Sequence, residues 1–374
     1  MLSRRTRISR TLVGLGLLLC AASPAAAQIY DSGTVITAPG AGFLGADVSQ
    51  LENIPLLNLT VFGHNANQGA GFSITDDFTV CGTWAFTDLE FFVYQTNGVG
   101  PTIDGVYVRI WDLPPTDTNA DTVWPAAGGA FSANLWGGSV DVLHAYRTTF
   151  AGVLATTREI HAIKVPAVGA LPTGTYWIEV QFTGNTALSG PWVPPISTLG
   201  CGKTGNAMQN NAGTYSNLLT GGTYGVGLPF RVYGWVLGGS TASASIYGVG
   251  ANGLNGVGAW VLGDAAVPVR TPILGSCYPL RLENGVLGQI PHVVLGTQGC
   301  GLPIPCGATL LVCPPDLVFT MPAFDAAFES QLCVPIPHGS WLCGACVYLQ
   351  AFWLDPSLGC GLGHSDGLQL CLGN

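Results

Sequence analysis

Residues 71–112 read GFSITDDFTVCGTWAFTDLEFFVYQTNGVGPTIDGVYVRIWD, three runs of alternating apolar and polar residues with turn-forming residues between them. In the last run, Val106 to Trp111, the alternation has a period of two, which places successive side chains on opposite faces of a strand. Such runs, separated by turn residues, are typical of β-sheet. The stretch therefore predicts three consecutive strands and an all-β fold around them.

The composition of the whole chain favours the same fold class. Only 9% of the 374 residues are charged, the chain contains 53 glycines and 25 prolines, and amphipathic helical periods are absent. Short strands joined by glycine and proline turns favour sandwiches over an α/β architecture. We predict two tandem β-sandwich, jelly-roll-like domains, residues 28–239 and residues 240–374, divided in the small flexible run after Val236.

The first 27 residues have the features of a secretory signal peptide. Four arginines precede the apolar run Leu12 to Ala22, and the small residues Ala25 to Ala27 precede Gln28. We expect cleavage after Ala27 and a secreted protein, extracellular, at the cell surface or periplasmic, with no transmembrane segment in the mature chain. That chain would carry 8 basic and 21 acidic residues, a charge that repels phosphate backbones, so nucleic acid is not an expected partner.

Further strands are expected along both predicted domains, together with one short helix. The helix is suggested by the four-residue spacing of Phe324, Phe328 and Leu332. The predicted strands are Leu56 to Phe62, Val140 to Arg147, Arg158 to Val165, Thr175 to Phe182, Leu228 to Val236, Tyr278 to Glu283, His292 to Leu295, Thr309 to Val312, Leu317 to Met321, Trp341 to Leu354 and Leu368 to Leu372.

Three strands of the first domain share a pattern in which one face is aliphatic and the other carries aromatic and charged residues. Glycan-binding sandwiches use aromatic planes for sugar CH faces and charged side chains for hydroxyls, so this mixed face is the candidate ligand site. The alternative is a face covered by loops, with Arg109, Glu179 and Arg231 as a paired internal cluster. The candidate ligand-binding residues are Tyr107, Arg109, Trp111, Trp177, Glu179, Arg231, Tyr233 and Trp235.

A second candidate site is the proline-bounded loop that follows the third strand. Asp117, Asn119 and Asp121 form a D-x-N-x-D pattern, the alternating oxygen donors that calcium needs from a tight loop. The glycine and the bidentate glutamate of a full EF-hand loop are missing, and the same residue types form ordinary turns. Calcium is thus the one cofactor that the sequence suggests, and a solvated loop is the alternative.

Eleven cysteines would remain after removal of the signal peptide, an odd number. In an exported chain disulfides are favoured over metal ligation by the CxxC of Cys343 and Cys346. Cys81 and Cys201 are the only cysteines of the first domain, so their pairing is the simplest expectation. A hairpin with residues 364–367 as its loop would set Cys360 opposite Cys371 and favour a bond between them.

The segment Gly363-His364-Ser365-Asp366-Gly367 matches the G-x-S-x-G of a nucleophile elbow. No acid or histidine follows it, so we interpret it as a hairpin loop. The sequence also shows no evident pair of carboxylates for glycoside hydrolysis. No catalytic residue is assigned, and whether the protein is an enzyme stays open, with a non-enzymatic role favoured.

Parts of both domains are similar to bacterial secreted proteins. The C-terminal residues that carry the likeness are Tyr247, Gly248, Gly250, Pro272, Leu274, Gly275, Leu280, Leu282, Asn284, Val294 to Gly296, Leu349 to Pro356 and Asp366 to Leu368. They resemble a β-sandwich module that recurs at the C-termini of secreted proteins of planctomycete-like bacteria. The segments ITDDFTV, LEFFVYQT, VRIWD, TYWIEVQFTG and SGPWVPP resemble exported, uncharacterised β-sandwich proteins of environmental bacteria. The resemblance implies export and fold but no activity, and the dense cysteines depart from the usual module.

Taken together, the sequence favours an exported, non-enzymatic cell-surface or extracellular protein. We expect it to bind glycan or another surface component through the first domain. A polysaccharide-active hydrolase or lyase and a structural envelope or matrix protein are the alternatives.

Overall fold

The computed structural model describes residues 26–373 except for residues 34, 52–60, 138–139, 150–151, 153, 197–204, 239–241, 262–270, 276 and 338. In this part of the chain the only helical segments are four single 3₁₀ turns, Phe43–Gly45, Gln68–Ala70, Pro305–Gly307 and Ser340–Leu342. None of these described helices has the length and hydropathy that a membrane crossing needs. The prediction of an all-β fold is confirmed.

The strands before residue 239 pair only with one another in the described structure. They are β1 (Ala27–Asp31), β2 (Asp47–Gln50), β3 (His64–Asn65), β4 (Phe72–Val80), β5 (Thr83–Thr96), β6 (Ile103–Trp111), β7 (Thr122–Trp124), β8 (Val140–Thr148), β9 (Glu159–Leu171), β10 (Gly174–Gly184), β11 (Ser189–Val193), β12 (Met208–Asn211), β13 (Thr214–Asn217), β14 (Leu219–Thr220), β15 (Tyr224–Gly225) and β16 (Phe230–Leu237).

These strands form two main sheets packed face to face. The large sheet has the order β1-β16-β5-β9-β8-β2, with β11 and β3 continuing from the end of β5, and the small sheet has the order β13-β12-β4-β10-β6-β7. The three strands of residues 71–112 are present, but they alternate between the sheets: β4 and β6 lie in the small sheet and β5 in the large one. Phe78 of β4 stacks on Trp84 of β5 with ring centroids 5.7 Å apart, so this crossing places the apolar faces of both sheets in one core.

The strands after residue 241 pair among themselves and surround a separate core. They are β17 (Ser243–Tyr247), β18 (Asn252–Gly253), β19 (Gly256–Val257), β20 (Ala259–Val261), β21 (Cys277–Glu283), β22 (His292–Gly296), β23 (Gly299–Pro303), β24 (Thr309–Val312), β25 (Leu317–Thr320), β26 (Ser330–Pro335), β27 (Cys346–Leu354), β28 (Leu362–His364) and β29 (Gly367–Cys371). The main sheet has the order β17-β29-β27-β22-β25, with β28 also on β27, and it packs against a sheet of order β20-β21-β26.

Two of the predicted elements differ from the structure, and a third lies mostly outside it. The predicted helix is wrong: Phe324 packs edge-on against Trp353, a turn closed by Phe328 N–H donating to the Asp325 carbonyl follows, and Leu332 lies in β26. The four-residue spacing therefore comes from a core residue, a turn and a strand. The strand predicted from Trp341 begins only at Cys346, after a 3₁₀ turn. Most of the predicted strand Leu56 to Phe62 lies outside the described residues.

A disulfide joins Cys81, directly after β4, to Cys343 in the C-terminal half. Cys81 is completely buried and packs in the second core. The predicted Cys81–Cys201 bond is wrong. The prediction assumed that cysteines pair within their own domain, whereas Cys81 bonds to a cysteine of the other half. Cys201 itself lies outside the described residues.

The predicted hairpin loop at residues 364–367 is also wrong. Both β28 and β29 pair with β27, and the register changes by one residue between them, at residues 365–366. The turn lies earlier in the chain, where Asp355 N–H donates to the Gly361 carbonyl at 2.9 Å. This register sets Cys371 opposite Cys346, and these two cysteines form a disulfide. Cys360 is bonded to a different cysteine, and a further disulfide joins Cys300 to Cys313.

We expect the Cys81–Cys343 disulfide to contribute more stability than the Cys300–Cys313 disulfide. The cysteines of the first bond are 262 residues apart in sequence, and those of the second bond are 13 residues apart. In the chain-entropy model this difference is worth about 2–3 kcal/mol of unfolding free energy. Urea unfolding of Cys81→Ser/Cys343→Ser and Cys300→Ser/Cys313→Ser should show the larger loss in the former, and equal losses would contradict this account.

Candidate functional site

The eight predicted ligand-binding residues lie on the outer faces of two different sheets. Five belong to the directly paired strands β6 and β10 of the small sheet: Tyr107, Arg109, Trp111, Trp177 and Glu179. Three belong to β16 of the large sheet: Arg231, Tyr233 and Trp235. The predicted cluster is therefore confirmed for Arg109 and Glu179 and wrong for Arg231. Strands of both sheets alternate with the same period, so the phase of a residue does not reveal which sheet it joins.

The carboxylate of Glu179 lies at the centre of the small sheet's outer face and is 0% exposed. Arg109 donates from Nε to Oε2 at 2.8 Å and from Nη2 to Oε1 at 2.9 Å. Four more donors reach the same two oxygens from four strands: Trp111 Nε1 at 2.7 Å, Tyr215 Oη at 3.0 Å, Asn210 Nδ2 at 3.3 Å and Ser73 Oγ. A buried charge is stable only when it is paired and hydrogen-bonded, and this one is both.

The side chain of Arg109 is mostly enclosed, with 12% of its surface exposed. It lies over the rings of Trp111 and Phe131, with the Cζ atom 4.6 Å and 4.0 Å from the two centroids. Its Nη1 donates to the carbonyl of Gly129, in the same loop as Phe131. Planar guanidinium groups stack on aromatic faces in this way. The loop thus seals the small sheet's outer face above Arg109, as the alternative interpretation of this face expected.

The electrostatics of Glu179 agree with a structural role. Burial alone would raise the pKa of this carboxyl, but the hydrogen bonds and the charge of Arg109, with the hydrogen bonds of Ser73 and Trp111, outweigh it and hold the pKa below its usual value. Burial, followed by the charge of Glu179, raises the pKa of Tyr215. The carboxylate and its donors are fully engaged with each other, which leaves them unsuited to bind a ligand.

The outer face of the large sheet is arranged differently. Arg231 donates to Asp31 on one neighbouring strand at 2.9 Å and to Glu90 on the other at 3.0 Å. Tyr233 Oη donates to the same Glu90 oxygen at 2.9 Å, and the Lys164 ammonium lies 3.8 Å from the centre of the Tyr233 ring. We call this surface the open face; it comprises Asp31, Asp88, Glu90, Lys164, Arg231, Tyr233 and Trp235.

The open face is accessible along most of its length. Trp235 is 36% exposed, and the side chains of Leu237, two residues farther along the same strand, and of Val168 on β9 are exposed as well. The side chains of Arg231 and Asp31 are about one third exposed. Farther along the same sheet, a small core around Phe92 and Tyr94 is covered by other segments. Aromatic, apolar and charged side chains are therefore presented together to solvent only at the β1-β16-β5-β9 part of this sheet, among the described residues.

The pKa values on the open face reflect its partial burial. Burial, together with the hydrogen bond and charge of Glu90, raises the pKa of Tyr233 to about 12. Burial would lower the pKa of Arg231, but the charges and hydrogen bonds of Asp31 and Glu90 reverse this, so the pKa is raised. Both groups stay protonated at neutral pH, so Arg231 keeps a full charge and Tyr233 keeps a hydroxyl.

Sequence reasoning missed four members of the open face: Asp31, Asp88, Glu90 and Lys164. The signal for two of them was present, since Asp88 and Glu90 alternate with Leu89 and Phe91 in the run DLEF. A bulge opposite Tyr233 and Gly234 changes the register between this run and β16. The sequence therefore does not show that Arg231 lies opposite Glu90, and the structure does.

The predicted calcium loop uses its carboxylates for local hydrogen bonds. Asp117 Oδ1 accepts from the Asn119 backbone N–H at 2.8 Å, and Asp121 Oδ1 accepts from Thr122 and Gly128 N–H at 2.7 Å each. The described residues contain no group of three or more His, Cys, Asp or Glu that could hold a metal ion. Calcium binding by Asp117, Asn119 and Asp121 stays a prediction, and a rise in the thermal midpoint of chelator-treated protein on adding millimolar calcium is its test.

The G-x-S-x-G segment does not form a nucleophile elbow. Ser365 is completely buried, its Oγ donates to the Asp366 carbonyl at 2.6 Å, and it accepts from the Ala351 N–H at 2.9 Å. A nucleophilic hydroxyl would instead be exposed at a sharp strand-to-helix turn.

No family model matches the chain, and no curated protein or solved structure matches it either. The geometry of the two outer faces is therefore the basis on which function can be inferred.

We expect Glu179→Gln to lower the unfolding free energy by about 3–5 kcal/mol, because it leaves the buried Arg109 without a counter-charge. The pKa of Glu179 is lowered on folding, so its stabilising effect is present above the usual glutamate pKa and is lost as the pH falls below it. The variant should therefore show a weaker acid dependence than the natural protein, measured by urea unfolding between pH 7 and pH 3.

Glu283→Gln is the matched control for this variant. Glu283 is a partly exposed glutamate whose partner Arg281 also pairs with Glu329. Its substitution should change the unfolding free energy by less than about 1 kcal/mol. A Glu179→Gln variant as stable as Glu283→Gln would refute the structural role of the buried pair.

Proposed function

We propose that the protein is an exported, non-enzymatic module that binds uncharged polysaccharide on the open face of the first sandwich. The observation that carries this proposal is the adjacency, on one solvent-exposed sheet surface, of Trp235 and Tyr233 with the ion-paired row of Asp31, Arg231 and Glu90. The other outer face has the same residue types, but its charged groups are sealed beneath a loop.

The chemistry of the open face suits a sugar chain. A pyranose ring has an apolar CH face that packs on an aromatic plane and hydroxyls around its edge that exchange hydrogen bonds with charged side chains. Trp235 with the neighbouring apolar residues offers the first kind of surface. Arg231, Asp31 and Lys164 are partly exposed and offer the second.

The charge of the open face favours a neutral ligand. Its three carboxylates face two cations, and most of these charges are already paired with each other. A polyanion would meet repulsion from the acids of the face and from the acidic chain as a whole. Uncharged polysaccharide is therefore the favoured class.

Export is supported by the cysteines. The disulfides Cys81–Cys343, Cys300–Cys313 and Cys346–Cys371 are formed, and Cys333 and Cys360 are disulfide-bonded as well. Bonds of this kind persist in oxidising compartments. This agrees with the signal peptide predicted for residues 1–27, which lies almost entirely outside the described part of the chain.

We expect Trp235→Ala to weaken polysaccharide binding about tenfold, equivalent to about 1.4 kcal/mol. The measurement is affinity gel electrophoresis with hydroxyethylcellulose, glucomannan, xylan and starch in the gel, and with alginate as a polyanion. The thermal midpoint should change little, since the indole is partly exposed and makes no hydrogen bond in the described structure.

Trp341→Ala is the matched control, because Trp341 is 80% exposed and lies in the second half of the chain. It should migrate like the natural protein. Undiminished retardation of Trp235→Ala, or no retardation of the natural protein by any neutral polysaccharide, would contradict the proposal. Release of new reducing ends from the same polymers would instead favour a hydrolase.

A further inference from the structure

A cleft of about 290 Å³ opens in the C-terminal half, far in sequence from the open face. Three turns surround it, and the strand β28 lies behind them. Its described lining includes Val249, Thr309, Leu358, Gly359, Leu362 and His364. This volume is at the lower limit of ordinary small-molecule sites, which suits one ring-sized molecule.

The polar group that matters most in this cleft is the imidazole of His364, which is 5% exposed. Its Nδ1 lies 3.1 Å from the Ser365 carbonyl and 3.3 Å from Gln350 Nε2. The two hydrogens of Gln350 Nε2 already point to the carbonyls of Thr309 and Ser365, at 2.9 Å and 3.1 Å. Gln350 therefore has no hydrogen left for the imidazole, and Nδ1 must carry the hydrogen that it donates to Ser365.

This assignment fixes the character of the other ring nitrogen. In a neutral imidazole with hydrogen on Nδ1, the Nε2 atom is a hydrogen-bond acceptor. The described residues supply no donor to it, although the ring lines the cleft. An acceptor that lies beside a cleft and receives no hydrogen bond from the protein favours a ligand that donates one.

The remaining lining determines the class of ligand. Val249, Leu358 and Leu362 provide apolar surface, Thr309 adds a hydroxyl, and none of the described lining residues is charged. An ion would lose its hydration there without a counter-charge. A ligand with one apolar face and a hydroxyl that donates to Nε2 fits both requirements.

We propose that this cleft binds a single neutral sugar ring, with a ring hydroxyl donating to His364 Nε2. This second site is independent of the open face, because it shares none of its residues and lies on the other core. It would give the chain two separate contacts with carbohydrate.

Gly359 allows a direct test of the cleft. A Cβ added there meets no atom within 4 Å, and the residue has no left-handed backbone conformation, so Gly359→Leu should occupy the cleft without disturbing the fold. Gly301 has equally open surroundings but lies outside the cleft, which makes Gly301→Leu the matched control. His364→Phe keeps a ring but removes the acceptor.

The experiment is saturation-transfer NMR with the methyl glycosides of glucose, galactose and mannose. Trp235→Ala serves as the background so that the open face does not contribute. We expect at least one glycoside to bind, Gly359→Leu to weaken binding more than tenfold, Gly301→Leu to leave it unchanged, and His364→Phe to weaken it about fivefold. Thermal midpoints report whether each variant is folded.

The outcomes separate this proposal from the previous one. No saturation transfer to any of the three glycosides, or equal transfer in Gly359→Leu and Gly301→Leu, would overturn the proposal that the cleft binds a sugar. Either result would leave polysaccharide binding on the open face unaffected. If His364→Phe does not fold, the comparison of the two glycine variants decides by itself.

Discussion

The first sandwich depends on a carboxylate that has no access to water. Glu179 is satisfied only if β4 supplies Ser73, β6 supplies Arg109 and Trp111, and the β12–β13 hairpin supplies Asn210 and Tyr215. A slip of one residue in any of these ladders would turn donors to the opposite face and leave a buried charge unpaired. One ionised group thereby specifies the register of four strands, which apolar packing alone would leave less defined.

The same sandwich has outer faces of opposite kinds. One face encloses its charges beneath the loop that carries Gly129 and Phe131, and the other leaves a row of ion pairs beside Trp235 open to solvent. Their sequence patterns are nearly identical, because an alternating strand looks the same whether a loop covers its polar face or not. The difference arises from segments distant in sequence, and it determines which face is available for recognition.

Most strands could be predicted from the sequence, since a period of two and glycine or proline turns are local signals. The pairing of Arg109 with Glu179 could be predicted from their alternating positions along their strands. The sheet to which Arg231 belongs could not, because alternation shows only which residues of one strand share a face. Disulfide partners were missed because they too depend on which strands and halves of the chain meet in space. Cys81 meets Cys343 across the two halves, and Cys371 meets Cys346 because Ser365-Asp366 is a register shift rather than part of a hairpin loop.

The bond between Cys81 and Cys343 also determines how the chain would respond to cleavage or tension. A protease that cuts the small-residue run after Val236 would leave both halves covalently joined, since the bond bypasses this connection. A pull on the two ends of the chain would act on the segment before Cys81 and the segment after Cys343. The residues between these two cysteines, which are 262 apart in sequence, would carry none of the force. Such a shortcut limits how far a stretched chain can lengthen, because the residues between the two cysteines stay within a closed loop.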